Sequence, residues 1–314
     1  MSEPRRHHYV PAFYLSQFAT PTERDGRLRV FDRTSGRVYG SSPDGVAHAR
    51  DFYQVESDKG GNVVEKAFAD LEGKCAPILT TLNQQGRIPN AEDLGTLLSI
   101  VAFQAVRIPG VRNKFQKFRS DLMMRILAMS ASDKEVLRNE ALAINPNWTD
   151  ADVDQLHDEL TEFLQQPGAR VEFDRTTLVY DALDTAPTIG KELAKRKWSL
   201  GIAPADVPLI TSDNPVVFMW ALDSTPPPNW SPGFGRVDTL VGIALGPHYF
   251  LFGSAHSPKE AEFEMSVEHS AHLNTVIALH ADERLFFRGE GFRHLSKAAT
   301  VVDGPTDELR IAAG

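Results

Sequence analysis

Val64-Glu65-Lys66-Ala67-Phe68-Ala69-Asp70-Leu71-Glu72-Gly73-Lys74-Cys75-Ala76-Pro77-Ile78-Leu79-Thr80-Thr81-Leu82 is the stretch that decides the fold class. Val64, Phe68, Leu71, Cys75, Ile78 and Leu82 recur at intervals of three and four, the period of one apolar helix face. Before it, the period is two. Leu28 and Val30 alternate with Arg27 and Arg29, Thr34-Ser35-Gly36 supplies a turn, and residues 37–39 return as the second strand of a hairpin.

After it, the helical period persists to about residue 196. Asn90 with Asp93 marks a helix start, and Leu94, Leu97, Leu98, Val101 and Ala105 form its stripe up to Pro109. A third helix carries Val111, Phe115, Phe118, Leu122, Ile126 and Met129, and the capping-box pairs Ser132 with Glu135 and Thr149 with Asp152 open two more. Beyond Trp198 the pattern reverts to short apolar runs at 198–202, 209–210, 216–220, 237–243 and 249–252, parted by Pro, Gly and Asp-Asn turns. Ser257-Pro258-x-Glu260 predicts a helix reaching about 280, followed by a last strand at 284–287. The expected architecture is α+β: a mixed or antiparallel sheet formed by N- and C-terminal segments, with a large helical insertion over about 62–196. One domain is expected over 1–300, and 301–314 as a frayed tail.

Composition narrows the class. With 42% hydrophobic and 24% charged residues, the 314-residue chain has the make-up of a folded globular protein. The net charge of −9 argues against a surface that coats nucleic acid broadly, yet leaves room for a local basic patch. One such run is Arg107, Arg112, Lys114, Lys117, Arg119 and Arg125, which a solvated helix face also explains. The lone Cys75 cannot form an internal disulfide, and its apolar neighbours predict a buried thiol. The basic start has no apolar core after it, and no stretch approaches the roughly 20 apolar residues of a membrane helix, so a cytoplasmic protein is expected. Phosphate-binding glycine loops, zinc-spaced cysteine pairs, Gly-x-Ser-x-Gly and His-Glu-x-x-His are missing from the sequence.

Two segments stand out chemically. His7-His8-Tyr9-Val10-Pro11 precedes Phe13, Tyr14, Leu15 and Phe18, which read as the buried face of a short helix. Neighbouring histidines on an extended segment point to opposite sides, so one of the pair enters any given pocket. Imidazoles relay protons or bind metals near neutral pH; a packed anchor bonded to backbone is the plain alternative. Thr211-Ser212-Asp213-Asn214-Pro215 lies between apolar runs, where Ser and Asp side chains satisfy turn amides, or where Asp213 binds a divalent ion or activates water. Glu65 and Glu72 share a helix face; if that face packs beneath the N-terminal segment, Glu65 meets His8, and Glu72 is the more peripheral. His269-x-x-His272 has metal-compatible helical spacing but no matching third ligand.

The run from His7 to Phe18 resembles the opening of a bacterial and phage-borne family of unknown function that begins His-His-Tyr-Val-Pro-x-x-Tyr-Leu-x-x-Phe. Arg29-Val-Phe-Asp-Arg33, Asp51-Phe52-Tyr53 followed by Glu65 and Glu72, Arg107 before Pro109, Thr211 to Pro215, Gly246-Pro247 and Asn274 resemble its later segments. Ile108 departs from the small polar residue expected there. The resemblance covers most of the chain and implies the family, but brings no activity with it.

Two functions remain open. In the first, the chain is a binding or regulatory protein for a ligand, nucleotide or nucleic acid, with His7, His8, Glu65, Arg107 and Asp213 as a polar site. In the second, it is a metal-dependent phosphodiester hydrolase: His7 or His8 acts as base or ligand, His8, Glu65 and Asp213 hold Mg²⁺ or Mn²⁺, and Arg107 stabilises phosphate charge. Either one requires that a histidine of the N-terminal pair and Asp213 border one pocket, within roughly 10 Å.

Overall fold

A computed structural model describes residues 6–50, 52, 63–221, 224–256 and 261–311. The chain divides into two compact units, residues 1–110 with 179–314, and residues 111–178. The division therefore falls inside the expected helical insertion rather than at its ends.

In chain order, the strands and helices begin with β1 (Arg6–His8), α1 (Ala12–Leu15), β2 (Leu28–Asp32), β3 (Val38–Ser41) and β4 (His48–Arg50). The helical stretch holds α2 (Val63–Gln85), α3 (Ala91–Gln104), α4 (Pro109–Ser132), α5 (Lys134–Ile144), α6 (Asp150–Gln165) and α7 (Arg175–Ala194). Then come β5 (Lys197–Ile202), β6 (Thr211–Ser212), β7 (Val217–Trp220), β8 (Thr239–Gly246), β9 (Tyr249–Ser254) and β10 (Glu262–Glu264). The last are α8 (Val267–His280), β11 (Arg284–Phe287), β12 (Arg293–Leu295) and β13 (Val301–Asp303). The fold is α+β.

Two sheets organise the larger unit. One runs β3-β2-β11-β6 and is antiparallel throughout, so strands from both ends of the chain share it. The other runs β10-β5-β9-β8-β7 and is mixed, because β10 pairs parallel with β5 while the remaining pairs are antiparallel. Tyr14 ties them together. Its buried hydroxyl lies 2.7 Å from Thr211 Oγ1 on β6 and donates to the Ala244 carbonyl on β8 at 2.7 Å. Phe18, Leu28, Leu79, Leu82, Leu97, Phe250 and Phe286 are fully buried, so the α2 and α3 stripes and both sheets contribute to the core. Among the described residues no single helix is long and apolar enough to cross a membrane.

Local signals placed two helix starts and came within one residue of a third. The Asn90 side chain accepts from the amides of Glu92 and Asp93 to open α3, and Thr149 with Asp152 forms a full capping box on α6. At α5 the cap is Asp133, one residue past the expected Ser132, because its carboxylate accepts from the amides of Glu135 and Val136. The helix expected from Ser257 is corrected. Residues 257–260 lie outside the described part, Glu262–Glu264 is a strand, and α8 opens later with the Ser266 hydroxyl accepting from the His269 amide. The tail also departs from expectation up to Ile311. β13 pairs with β12, Leu309 is buried, and Arg33 Nε donates to the Leu309 carbonyl at 2.8 Å.

In the smaller unit, Gln116 and Ser120 of α4 hold the 171–173 segment. Ser120 Oγ accepts from the Val171 amide at 3.1 Å and Gln116 Oε1 from the Phe173 amide at 3.2 Å. The apolar stripe expected to carry α4 is not covered: Phe118, Leu122, Ile126 and Met129 are exposed.

Candidate functional site

The N-terminal motif starts as a two-stranded ribbon. β1 and β4 pair antiparallel with Arg6 opposite Arg50, His7 opposite Ala49 and His8 opposite His48. Strand alternation then sends His7 to one face and His8 to the other. Tyr9 leaves the ribbon with its amide on the Ala47 carbonyl at 2.9 Å, and Pro11 leads into α1.

On the inner face, His7 is buried and meets α2. Glu65, Phe68 and Glu72 occupy one side of that helix at spacings of three and four, as helical geometry requires. Burial raises the Glu65 carboxyl above the ordinary carboxylate range; His7 opposes the rise, Glu72 adds to it, and Arg107 opposes it. Glu65 thus faces His7, not His8 as expected.

Arg107 is part of the frame of this site. Its Nε donates to the Tyr9 carbonyl at 3.1 Å and to Gln104 Oε1 at 3.2 Å, while Nη1 and Nη2 reach Glu72 Oε1 at 3.2 and 3.1 Å. The guanidinium carbon stands 5.0 Å from the Phe68 ring centre, and Gln104 Nε2 donates to the same Tyr9 carbonyl at 2.8 Å. With its side chain only 2% exposed, Arg107 locks α2, the end of α3 and the N-terminal motif together. Glu72, expected to be peripheral, is its ionic partner. Arg107 also precedes α4, so it does not belong to the basic run along that helix.

The downstream motif closes on itself. Asp213 is buried and accepts from three backbone amides: Asp282 at 2.9 Å on Oδ1, and Glu283 at 2.8 Å and Arg284 at 2.9 Å on Oδ2. Burial pushes its carboxyl up to about 7 against the pull of those amides. Asn214 Nδ2 adds a bond to the His280 carbonyl at 2.9 Å, so the turn staples the connection from α8 to β11. The Asp282 carboxylate accepts from the Gly110 amide at 3.1 Å, and a side chain at Gly110 would collide with it. The N-terminal motif and the Asp213 turn do meet. They meet through the Tyr14–Thr211 hydroxyl contact and through Tyr9, whose phenol burial pushes to about 12 with Asp213 adding to the rise.

On the outer face of the ribbon, His8 and His48 stand edge to face, ring centres 5.5 Å apart. Arg6 and Arg50, two residues along each strand, share that face. Burial holds the His8 imidazole below its ordinary value, and His48 and Arg24 push the same way, while Asp44 opposes them. Burial also lowers His48, assisted by Arg6 and Arg284. Arg24 pairs with Asp44 at 2.8 Å. Arg6, His48, Arg50 and Arg284 escaped the sequence analysis, because a three-residue strand carries no period that would assign its partner.

Metal ligation by His8, Glu65 and Asp213 is not assembled. His8 lies on the face opposite Glu65, and both Asp213 oxygens face amides; among the described residues no group of three or more His, Cys, Asp or Glu could hold a metal ion. His269 packs near the Phe252 and Phe263 rings. Cys75 is a buried thiol that burial pushes up to about 12.

A family model described as protein of unknown function, DUF4238, matches residues 6–291. The chain belongs to the DUF4238 family. The DUF4238 match takes in both motifs, the ribbon, Arg107 and β11. No curated protein and no solved structure matches the chain.

Proposed function

We propose that this DUF4238 chain is a binding protein for phosphate-bearing ligands, nucleotides or nucleic acid, held on the outer face of the β1–β4 ribbon. One observation carries this: the ribbon register gathers Arg6, His8, His48 and Arg50 on one face, with Arg284 and the mutually paired Arg24 and Asp44 in electrostatic range, in a chain of net charge −9. Arginine forks match phosphate oxygens in pairs, and two imidazoles that burial first, and neighbouring cations second, shift below their ordinary value gain protons when an anion arrives. The inner cluster of His7, Glu65, Glu72 and Arg107 then supports the ribbon from behind.

The test is fluorescence anisotropy with labelled single- and double-stranded oligonucleotides and a labelled ATP analogue. Arg50→Ala and His48→Ala should each weaken binding about tenfold, about 1.4 kcal/mol, and Arg50→Ala should flatten the salt dependence by about one phosphate contact. Wild-type affinity in both variants would refute the assignment.

Phosphodiester hydrolysis is a second reading, favoured by the His7–Glu65 pair, in which a carboxyl raised by burial sits beside an imidazole. Incubation of nucleic acids with Mg²⁺, with Mn²⁺ and with chelator tests it. Here His7→Ala and Glu65→Gln should abolish cleavage while leaving anisotropy intact.

A further inference from the structure

A separate cavity of about 550 Å³ opens between the turn after α1, the second half of α2 and the β8–β9 connection, lined among others by Gln17, Thr22, Thr80, Gln84, His248 and Arg288. Its size falls in the range of about 300–1,000 Å³ usual for small-molecule sites. The described lining holds a guanidinium, an imidazole, hydroxyls and amides, but no Asp or Glu.

Arg288 is fixed in place: the two hydrogens of Nη2 are shared among the carbonyls of Gln17 at 2.9 Å and Ala19 at 2.7 Å and Thr22 Oγ1 at 2.8 Å. All three acceptors are neutral, so they orient the guanidinium without cancelling its charge. Burial lowers Arg288, with no carboxylate among the described residues acting on it, and His248 is lowered by burial and then by Arg288. A half-buried cation with no counter-charge is costly, and an anion entering the cavity relieves that cost.

We infer that this cavity binds a small organic anion, a carboxylate or a phosphate monoester, with Arg288 and His248 as its charged contacts and Thr80 and Gln84 available to its polar body. This site is independent of the phosphate-binding ribbon. The titratable groups of its described lining are His248, Tyr249 and Arg288, so proton uptake on binding falls to His248.

The full chain should be titrated with inorganic phosphate and with succinate, following the His248 imidazole by NMR and heat by calorimetry. Saturable binding of either probe is expected, tighter at pH 6 than at pH 7.5, and the probe that saturates names the anion class. Arg288→Ala should weaken it at least about tenfold, as loss of a charged contact does. Because Arg288→Ala also removes three bonds to the 17–22 segment, His248→Gln serves as the second variant and should erase the pH dependence. Arg50→Ala should leave the titration followed at the His248 imidazole unchanged, whatever phosphate heat the ribbon contributes, which separates the cavity from the ribbon. The inference is overturned if neither probe saturates, or if His248→Gln and folded Arg288→Ala keep the wild-type affinity and pH profile.

Discussion

The Asp213 turn and the β1–β4 ribbon dispose of their polar groups in opposite ways. At the turn, a carboxylate is buried and surrounded by three amides of the 282–284 segment, so its bonding capacity is used inside the fold. On the outer ribbon face, His8 and His48 sit half-buried between exposed Arg6 and Arg50, so charge is concentrated toward the surface. A polar residue that stands out chemically can therefore be a fastener or a contact. The number of backbone donors closing on it tells which. Mutation should separate the two regions, with stability responding at the turn and binding at the ribbon.

Asp213→Ala should give the largest effect. It strands three part-buried amides that the buried carboxylate had satisfied, at about 1–3 kcal/mol for each unsatisfied group and toward the lower end where water reaches the amide, so a total near 4 kcal/mol and a melting drop on the order of 10 °C are expected. Asp213→Asn, which keeps one acceptor oxygen, should lose about half as much. A melting temperature unchanged in Asp213→Ala would erase the distinction between turn and ribbon.

Arg107→Ala should come next, at about 3 kcal/mol, since it leaves Glu72 unpaired and the Tyr9 carbonyl with Gln104 alone. Arg107→Lys should recover little, because an ammonium cannot reach Tyr9, Gln104 and Glu72 from one plane. Chemical denaturation checks both. Full recovery by lysine would reduce Arg107 to a point charge.

The double change Arg6→Ala with Arg50→Ala should shift stability by no more than about 0.5 kcal/mol, as exposed charges do, while oligonucleotide binding falls. A large loss of stability without a change in binding would make the ribbon a fastener too.

The smallest effect concerns pH. His8 and His48 both titrate below their ordinary value of 6.5 in the folded chain. The unfolded chain therefore takes up protons first as pH falls. Their contribution to stability is present above pH 6.5 and is lost as pH drops through the lowered folded values. A bound phosphate group should reverse the trend by raising both. Melting curves from pH 7.5 to 5, with and without oligonucleotide, should converge at high pH and separate at low pH; parallel curves would sever the histidines from the ligand.

The sequence by itself determined what kind of element each segment forms. The α2 stripe, the Asn90 cap, the Thr149–Asp152 box and the β2–β3 hairpin all depend on residues within a few positions of one another, so local spacing suffices. It also made the His7-His8 alternation legible, because strand geometry alone sets it. Only the tertiary structure decided who meets whom. Asp213 takes its three amides from about seventy residues away, Arg107 finds Glu72 on another helix, and His8 finds His48 across a ribbon whose strands are three residues each. The same holds where a local signal misled: Ser257-Pro258-x-Glu260 has the chemistry of a helix start, yet three residues soon after it, Glu262–Glu264, pair with β5. Capping and periodicity contribute through neighbours along the chain. A partner strand or a buried counter-charge contributes through space, and nothing in the spacing of residues records it.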